Sequence, residues 1–252
     1  MVAGRPGGRG GGVRGAHRPL RAVRPAAAGP ETGPPAAPDD QTGERGRTRL
    51  ADKAAAFLVE DELLTRLRER SAEQGVVAVA PATAAALTFL AASTRARAVV
   101  EIGTGLGLGT IALLRGMPVD GLLTSIDPDG GRQAEARLAC AEAGFAAGRV
   151  RLITGTSRQV LPKLSDAGYD LVVVDGATTE FPRDLAAALR LLRPGGVVVV
   201  DDVLWSGRIA DPVRREALTG ALRETVRAVR EDERLVPLLL PIAEGLLCAA
   251  RR

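Results

Sequence analysis

Between Ala98 and Thr110 the chain changes character twice. Ala98-Val99-Val100-Glu101-Ile102 is apolar and β-branched apart from one acid, and glycine then holds positions 103, 105, 107 and 109. The apolar run predicts a buried strand. Glycine lets a backbone take positive φ or lie close against a ligand. Ile111-Ala112-Leu113-Leu114-Arg115 then opens a helix. Strand, Gly-rich turn and helix form the nucleotide-binding opening of an open α/β sheet, where turn amides and the helix N-terminus face the ligand.

The remainder of the chain alternates in the same way. Strands are expected at 121–127, 150–154, 169–175 and 197–200, and helices at 132–143, 157–164, 184–192 and 212–229. Residues 235–242 and 245–250 read as a terminal antiparallel hairpin. Nearly continuous apolar strands separated by helices mean a doubly wound, mostly parallel sheet, here of seven strands. Two helices come before the first strand. One runs from Leu50 to about Arg70 and the other starts at Pro81, a residue suited to a first helical turn. They are accessories to the sheet.

Charge is unevenly placed. Residues 1–49 hold nine Arg against four acids, a surplus of five, so with +4 on the whole chain residues 50–252 carry −1. The basicity belongs to the tail, and a folded basic groove for nucleic acid is disfavoured. Residues 1–46 contain eleven of the 30 Gly and seven of the 16 Pro. Such a segment buries too little apolar surface to offset its chain entropy and is expected to be disordered. That leaves residues 47–252 as the folded domain. Cys140 and Cys248 sit in apolar contexts and read as reduced, buried thiols. The one histidine, His17, lies in the tail, so the domain has no Ser-His-Asp triad and no histidine metal site. No apolar run approaches the ~18 residues of a membrane span. The start lacks an apolar signal core, so a cytoplasmic protein is expected.

Four predicted strands end in acids: Glu101, Asp127, Asp175 and the pair Asp201-Asp202. In open α/β sheets ligands bind beyond the carboxyl ends of the strands. Carboxylates gathered there repel one another, so a ligand or cation is the natural reason for them. Asp127 has two readings. It can accept both hydroxyls of an adenosine ribose through its two oxygens, or it can cap the helix that follows Pro128. The dinucleotide fingerprint G-x-G-x-x-G fails from Gly103, where the last position is Leu108, and from Gly105, where it is Thr110. A pyrophosphate beside Glu101 would be repelled, whereas a sulfonium and an amino-acid ammonium would be tolerated. That favours S-adenosylmethionine over a nicotinamide dinucleotide.

The blocks VVEIGTGLGLGTIALL (99–114), LLTSID (122–127), TGTSRQVLPKL (154–164), YDLVVVDG (169–176) and LRPGGVVVVDDVLWSGRIADP (192–212) resemble the cation-dependent class I O-methyltransferases of the catechol and caffeoyl-CoA type, in their bacterial branch. The resemblance covers about residues 50–252. It implies a Rossmann-like methyltransferase fold and the use of S-adenosylmethionine. It also implies a divalent cation, usually Mg²⁺, methylation of one hydroxyl of a small vicinal diphenol, and pairing of two chains as a homodimer. Position by position, Val79, Glu101, Gly103, Gly105 and Asp127 match cofactor contacts, and Thr156 and Ser157 would border the adenine. Gly109 stands where many members have a Ser that contacts the methionine carboxylate, a role its neighbour Thr110 could take. The implied metal ligands are Asp175, Asp201 and Asp202.

The chain departs from this pattern twice. Relatives carry Asn where Asp202 stands, and D-A-x-K where this chain reads Asp175-Gly176-Ala177-Thr178. Threonine cannot act as a base near neutral pH. No general base is therefore identified: either the metal alone suffices for an acidic diphenol, or Glu180 or a water takes the proton. The alternative is a cofactor-binding homologue with weak or no catalysis. Phe181 is a candidate to line the acceptor mouth, and Trp205 either flanks an aromatic acceptor there or serves core packing or a dimer contact.

Overall fold

The computed structural model describes residue 53 and residues 57–252; the expected disordered segment 1–46 and the first residues of the first predicted helix lie outside these. Helices α1 (Glu62–Glu73) and α2 (Pro81–Ser93) precede the sheet. Strands β1 (Ala98–Ile102), β2 (Leu122–Asp127) and β3 (Val150–Thr154) alternate with α3 (Leu108–Gly116), α4 (Gly130–Glu142) and the single turn α5 (Ser157–Val160). Then come β4 (Tyr169–Val174), α6 (Phe181–Leu191), β5 (Leu192–Val200), α7 (Ala217–Glu231), β6 (Leu235–Leu240) and β7 (Leu246–Arg251). The seven strands lie in the order β3-β2-β1-β4-β5-β7-β6. The first five are parallel, and β7 is antiparallel to both β5 and β6. The expected doubly wound sheet with its antiparallel C-terminal hairpin is what the chain forms.

Side-chain alternation divides the core. Val99, Leu123, Leu171, Val173, Val197 and Val199 point to the face covered by α1–α4, among them Leu64, Leu87, Ile111 and Ala139. Val100, Ile126, Val172, Val174, Val198 and Val200 point to the other face, under Val160, Phe181, Leu185 and Leu222 of α5–α7. Both faces are covered, so the strands read as unbroken apolar runs. The accessory helices extend the first layer and add no layer of their own. Phe181 is buried in the second layer at 1 % exposure. It does not line a mouth, which corrects the expectation.

Three element boundaries differ from expectation, each for a local reason. The helix expected from Leu50 is interrupted: Lys53 and Phe57 are helical, residues 58–61 are not, and α1 starts afresh at Glu62, where the Asp61 carboxylate accepts the Leu64 N–H at 3.0 Å and caps it. Helix α7 begins at Ala217, not Pro212. The Arg223 guanidinium donates to the carbonyls of Ile209, Asp211 and Arg214 and holds the preceding residues in turns. Arg193-Pro194-Gly195-Gly196 does more than end a helix. Tyr169 pairs with Leu192 and Leu171 with Val197, so those four residues bulge from β5. Among the described residues no helix is long and apolar enough to cross a membrane. Cys140 and Cys248 are free and buried. Burial pushes their thiols up to about 12 and about 11, so both are chemically quiet.

Candidate active site

The carboxyl ends of β1, β2 and β4 open onto a cavity of about 740 Å³. Ladder bonds run past the strand ends. Gly103 N–H donates to Ile126 O at 2.9 Å, Asp175 N–H to Ile102 O at 2.8 Å and Asp201 N–H to Val174 O at 3.1 Å. They set the acids of neighbouring strands along one rim. The Gly-rich turn forms the floor, with φ of 98° at Gly103, 51° at Gly105 and 97° at Gly107. At Gly103 a Cβ would stand 2.0 Å from the Asp175 carbonyl oxygen. Only glycine lets the turn and the end of β4 meet there.

Seven of the eight residues expected at the cofactor line this one cavity: Val79, Gly103, Gly105, Gly109, Asp127, Thr156 and Ser157. Asp127 does not cap α4. Asp129 does, accepting from Gly131 N–H at 2.8 Å and Arg132 N–H at 3.1 Å. The Asp127 carboxylate is instead fixed by Gly105 N–H on Oδ2 (3.1 Å) and Asp129 N–H on Oδ1 (2.9 Å). Two backbone donors lock its rotamer while it faces the cavity. Thr156 opens α5, its N–H donating to Gln159 Oε1 at 3.1 Å. Beside it, Ser157 Oγ accepts from Arg183 at 2.8 Å, and Arg183 also pairs with Asp184 and Glu180.

Glu101 lies beneath the floor at 2 % exposure. Its Oε2 accepts from Thr110 Oγ1 at 2.5 Å and from Ser125 Oγ at 2.6 Å. Burial pushes its carboxyl up to about 7 against the lowering effect of those two hydroxyls, with the Asp127 charge adding to the rise. Thr110 is fully buried with its hydroxyl spent on Glu101, so it does not take the place of a cavity-facing Ser at 109.

Asp175, Asp201 and Asp202 offer oxygens that lie within 4.8 Å of one another. Asp175 is on the cavity wall, so the cluster forms its edge. Asp202 takes φ 57°, a left-handed conformation that Asp and Asn tolerate better than other side chains, and its N–H donates to Asp201 Oδ1 at 2.9 Å. Burial first, then the charges of neighbouring aspartates, holds Asp175 well above its ordinary range and Asp201 at about 7; burial also raises Asp202. Glu244 is the charge that acts on Asp202. Carboxylates this close, one buried and two half-buried, suit a divalent cation with hard oxygen ligands.

Four features of the site were not anticipated from the sequence. Thr83 of α2 sends its hydroxyl to Asp201 Oδ1, at 3.3 Å. Residues 75–78, ahead of Val79, form a wall of the cavity. Arg183 and Asp184 stand by Ser157. Ser125 meets Glu101, and its signal was visible, since LLTSID carries two hydroxyls inside an otherwise apolar buried strand. Trp205 is half-buried against the second core layer, with Arg208 over its ring at 4.8 Å.

Known proteins resemble this chain in both sequence and fold. A sequence model of the O-methyltransferase family matches residues 53–252. A protein of Mycobacterium sp. (strain JLS) named "Putative O-methyltransferase" is 44 % identical over 218 residues, covering 86 % of this chain and 99 % of its own. The crystal structure of a Corynebacterium glutamicum protein aligns with a TM-score of 0.75 at 30 % identity, covering 83 % of this chain and 97 % of that one. The O-methyltransferase TomG of Streptomyces achromogenes, solved in complex with S-adenosylmethionine, aligns with a TM-score of 0.72 at 29 % identity over 79 % of this chain and 93 % of its own.

Proposed function

Because the chain belongs to the O-methyltransferase family, we propose that it moves a methyl group from S-adenosylmethionine to one hydroxyl of a small catechol-like aromatic, with Mg²⁺ or a similar cation held by Asp175, Asp201 and Asp202. The observation that carries the cation and the acceptor class is that carboxylate cluster at the edge of the cavity. S-adenosylmethionine supplies an electrophilic methyl group, and a bound cation supplies Lewis acidity that lowers the pKa of a coordinated phenol.

The chain's own residues bind, orient and shield. Gly103 and Gly105 bring backbone close to the donor. Asp127, fixed by two N–H groups, offers carboxylate oxygens to a vicinal diol. Val79, Leu106 and Leu108 give part of the cavity an apolar lining. The three aspartates set where an acceptor with two adjacent oxygens sits, so that the reaction becomes one of position. Glu180, one of four carboxylates that line the cavity, is the one we assign to receive the departing proton, and it pairs with Arg183.

The test is methyl transfer to a catechol by purified protein with S-adenosylmethionine and Mg²⁺. EDTA is expected to abolish turnover, and Asp175→Ala to lower kcat/KM by at least about 100-fold. Turnover that survives EDTA overturns the cation. Failure to methylate any phenolic acceptor overturns the acceptor class.

A further inference from the structure

Five polar side chains from four elements and the Gly-rich turn converge beneath Gly109. Gln133 of α4 donates through Nε2 to Thr104 Oγ1 at 2.9 Å, and Thr104 shares a 2.6 Å hydrogen bond with Ser125 of β2. Ser125 Oγ donates to Glu101 Oε2 of β1 at 2.6 Å, and Thr110 of α3 donates to the same oxygen at 2.5 Å. All five residues are no more than 3 % exposed. The chain of donors runs towards Glu101, and both of its last links end on Oε2. Oε1 lies against Gly109, where a Cβ would come within 2.5 Å of it, and Gly109 is part of the cavity floor. The missing side chain at 109 is thus the space that Oε1 occupies.

We propose that Thr110 and Ser125 are positioning residues for the methyl donor. They clamp Oε2, so Glu101, which the resemblance already places at the cofactor, presents only Oε1 at the Gly109 floor, towards the cationic amino-acid end of the donor. The proposal rests on reading this cavity as the donor site. Hydroxyl-to-carboxylate bonds away from water are among the stronger hydrogen bonds, so losing one frees the carboxylate to rotate.

Isothermal titration of the full chain separates the clamp from a general effect on the turn. S-adenosylhomocysteine carries the amino-acid end, whereas 5′-methylthioadenosine lacks it. Thr110→Val is expected to weaken S-adenosylhomocysteine about tenfold while leaving 5′-methylthioadenosine within about twofold of wild type, and Thr110→Ser to restore both. Ser125→Ala should act in the same direction as Thr110→Val. Wild-type affinity for S-adenosylhomocysteine in Thr110→Val overturns the clamp. So does an equal loss for both compounds, which would mean that the turn itself had moved. If wild-type protein binds neither compound, the donor reading fails and the clamp falls with it.

Discussion

Thr178 stands three residues past Asp175, and the cavity wall passes through its neighbours Ala177, Thr179 and Glu180. The resemblance implies a lysine at this position. Threonine offers no base near neutral pH, so under the proposed function the proton would fall to the half-buried Glu180, to water or to the effect of a bound cation. Thr178→Lys is therefore expected to raise kcat for a catechol by about tenfold or more, within the range of a positioned general base. Steady-state rates at saturating donor measure it, and an unchanged kcat would show that the three aspartates suffice. Asp127 and Thr110 show what single residues reveal and conceal. The acid at the end of β2 announced a place on the cavity rim from its position alone, yet which oxygen meets which N–H depended on Gly105 and Asp129. Thr110, one position from a cavity-lining glycine, faces the opposite way because α3 has already begun at Leu108.

At the level of elements, two helical glycines are expected to respond in opposite ways. Gly116 ends α3 where that helix crosses α2, and a Cβ there would stand 2.1 Å from the Thr88 carbonyl oxygen and 2.9 Å from Ala91 Cβ. Gly116→Ala should destabilise the fold by about 1–3 kcal/mol, because the gain in helix propensity is smaller than the cost of parting two backbones. Gly220 lies on the exposed side of α7, and a methyl group added there would meet nothing within 4 Å. Gly220→Ala should stabilise by about 0.5–1 kcal/mol. Urea denaturation of both variants checks the pair, and a shift of the same sign in both would refute the argument. Element type was legible from periodicity throughout, since β4 and β5 carry apolar residues on both faces and α7 alternates helically. Boundaries were less legible. The starts of α1 and α7 are set by Asp61 and by Arg223, a side chain that reaches three carbonyls outside its own helix.

For the whole molecule the buried acids set a pH dependence. Folding raises the carboxyls of Glu101 and Asp201 to about 7, and that of Asp175 well above its ordinary range, chiefly through burial. The native state therefore binds more protons than the unfolded chain between about pH 4.5 and 7, and stability falls as pH rises through that window. For Glu101 alone the loss is on the order of 3 kcal/mol. Acids held below their ordinary range, such as Asp61 and Asp232, act in the opposite sense only at lower pH. Without added cation, the Tm should drop from pH 5.5 to pH 7.5. Millimolar Mg²⁺ should recover part of the loss at pH 7.5 and less at pH 5.5, where protons compete with the ion for these raised carboxyls. A Tm that is flat or rising over this range in EDTA would contradict the assignment.

The sequence by itself determined the sheet, the gathering of acids at its carboxyl rim and the chemical type of the groups there. Periodicity, glycine and strand-end acids are local signals, and the resemblance supplied the donor and the cation as expectations. Only the tertiary structure decided which groups meet. Ser125 reaches Glu101 because parallel pairing sets β2 beside β1 in that register. Asp175 joins Asp201 because β4 and β5 end level, residue for residue from Val174 and Val200. Such contacts depend on strand order and register, which arise from packing two apolar faces at once, and no short window of sequence contains them.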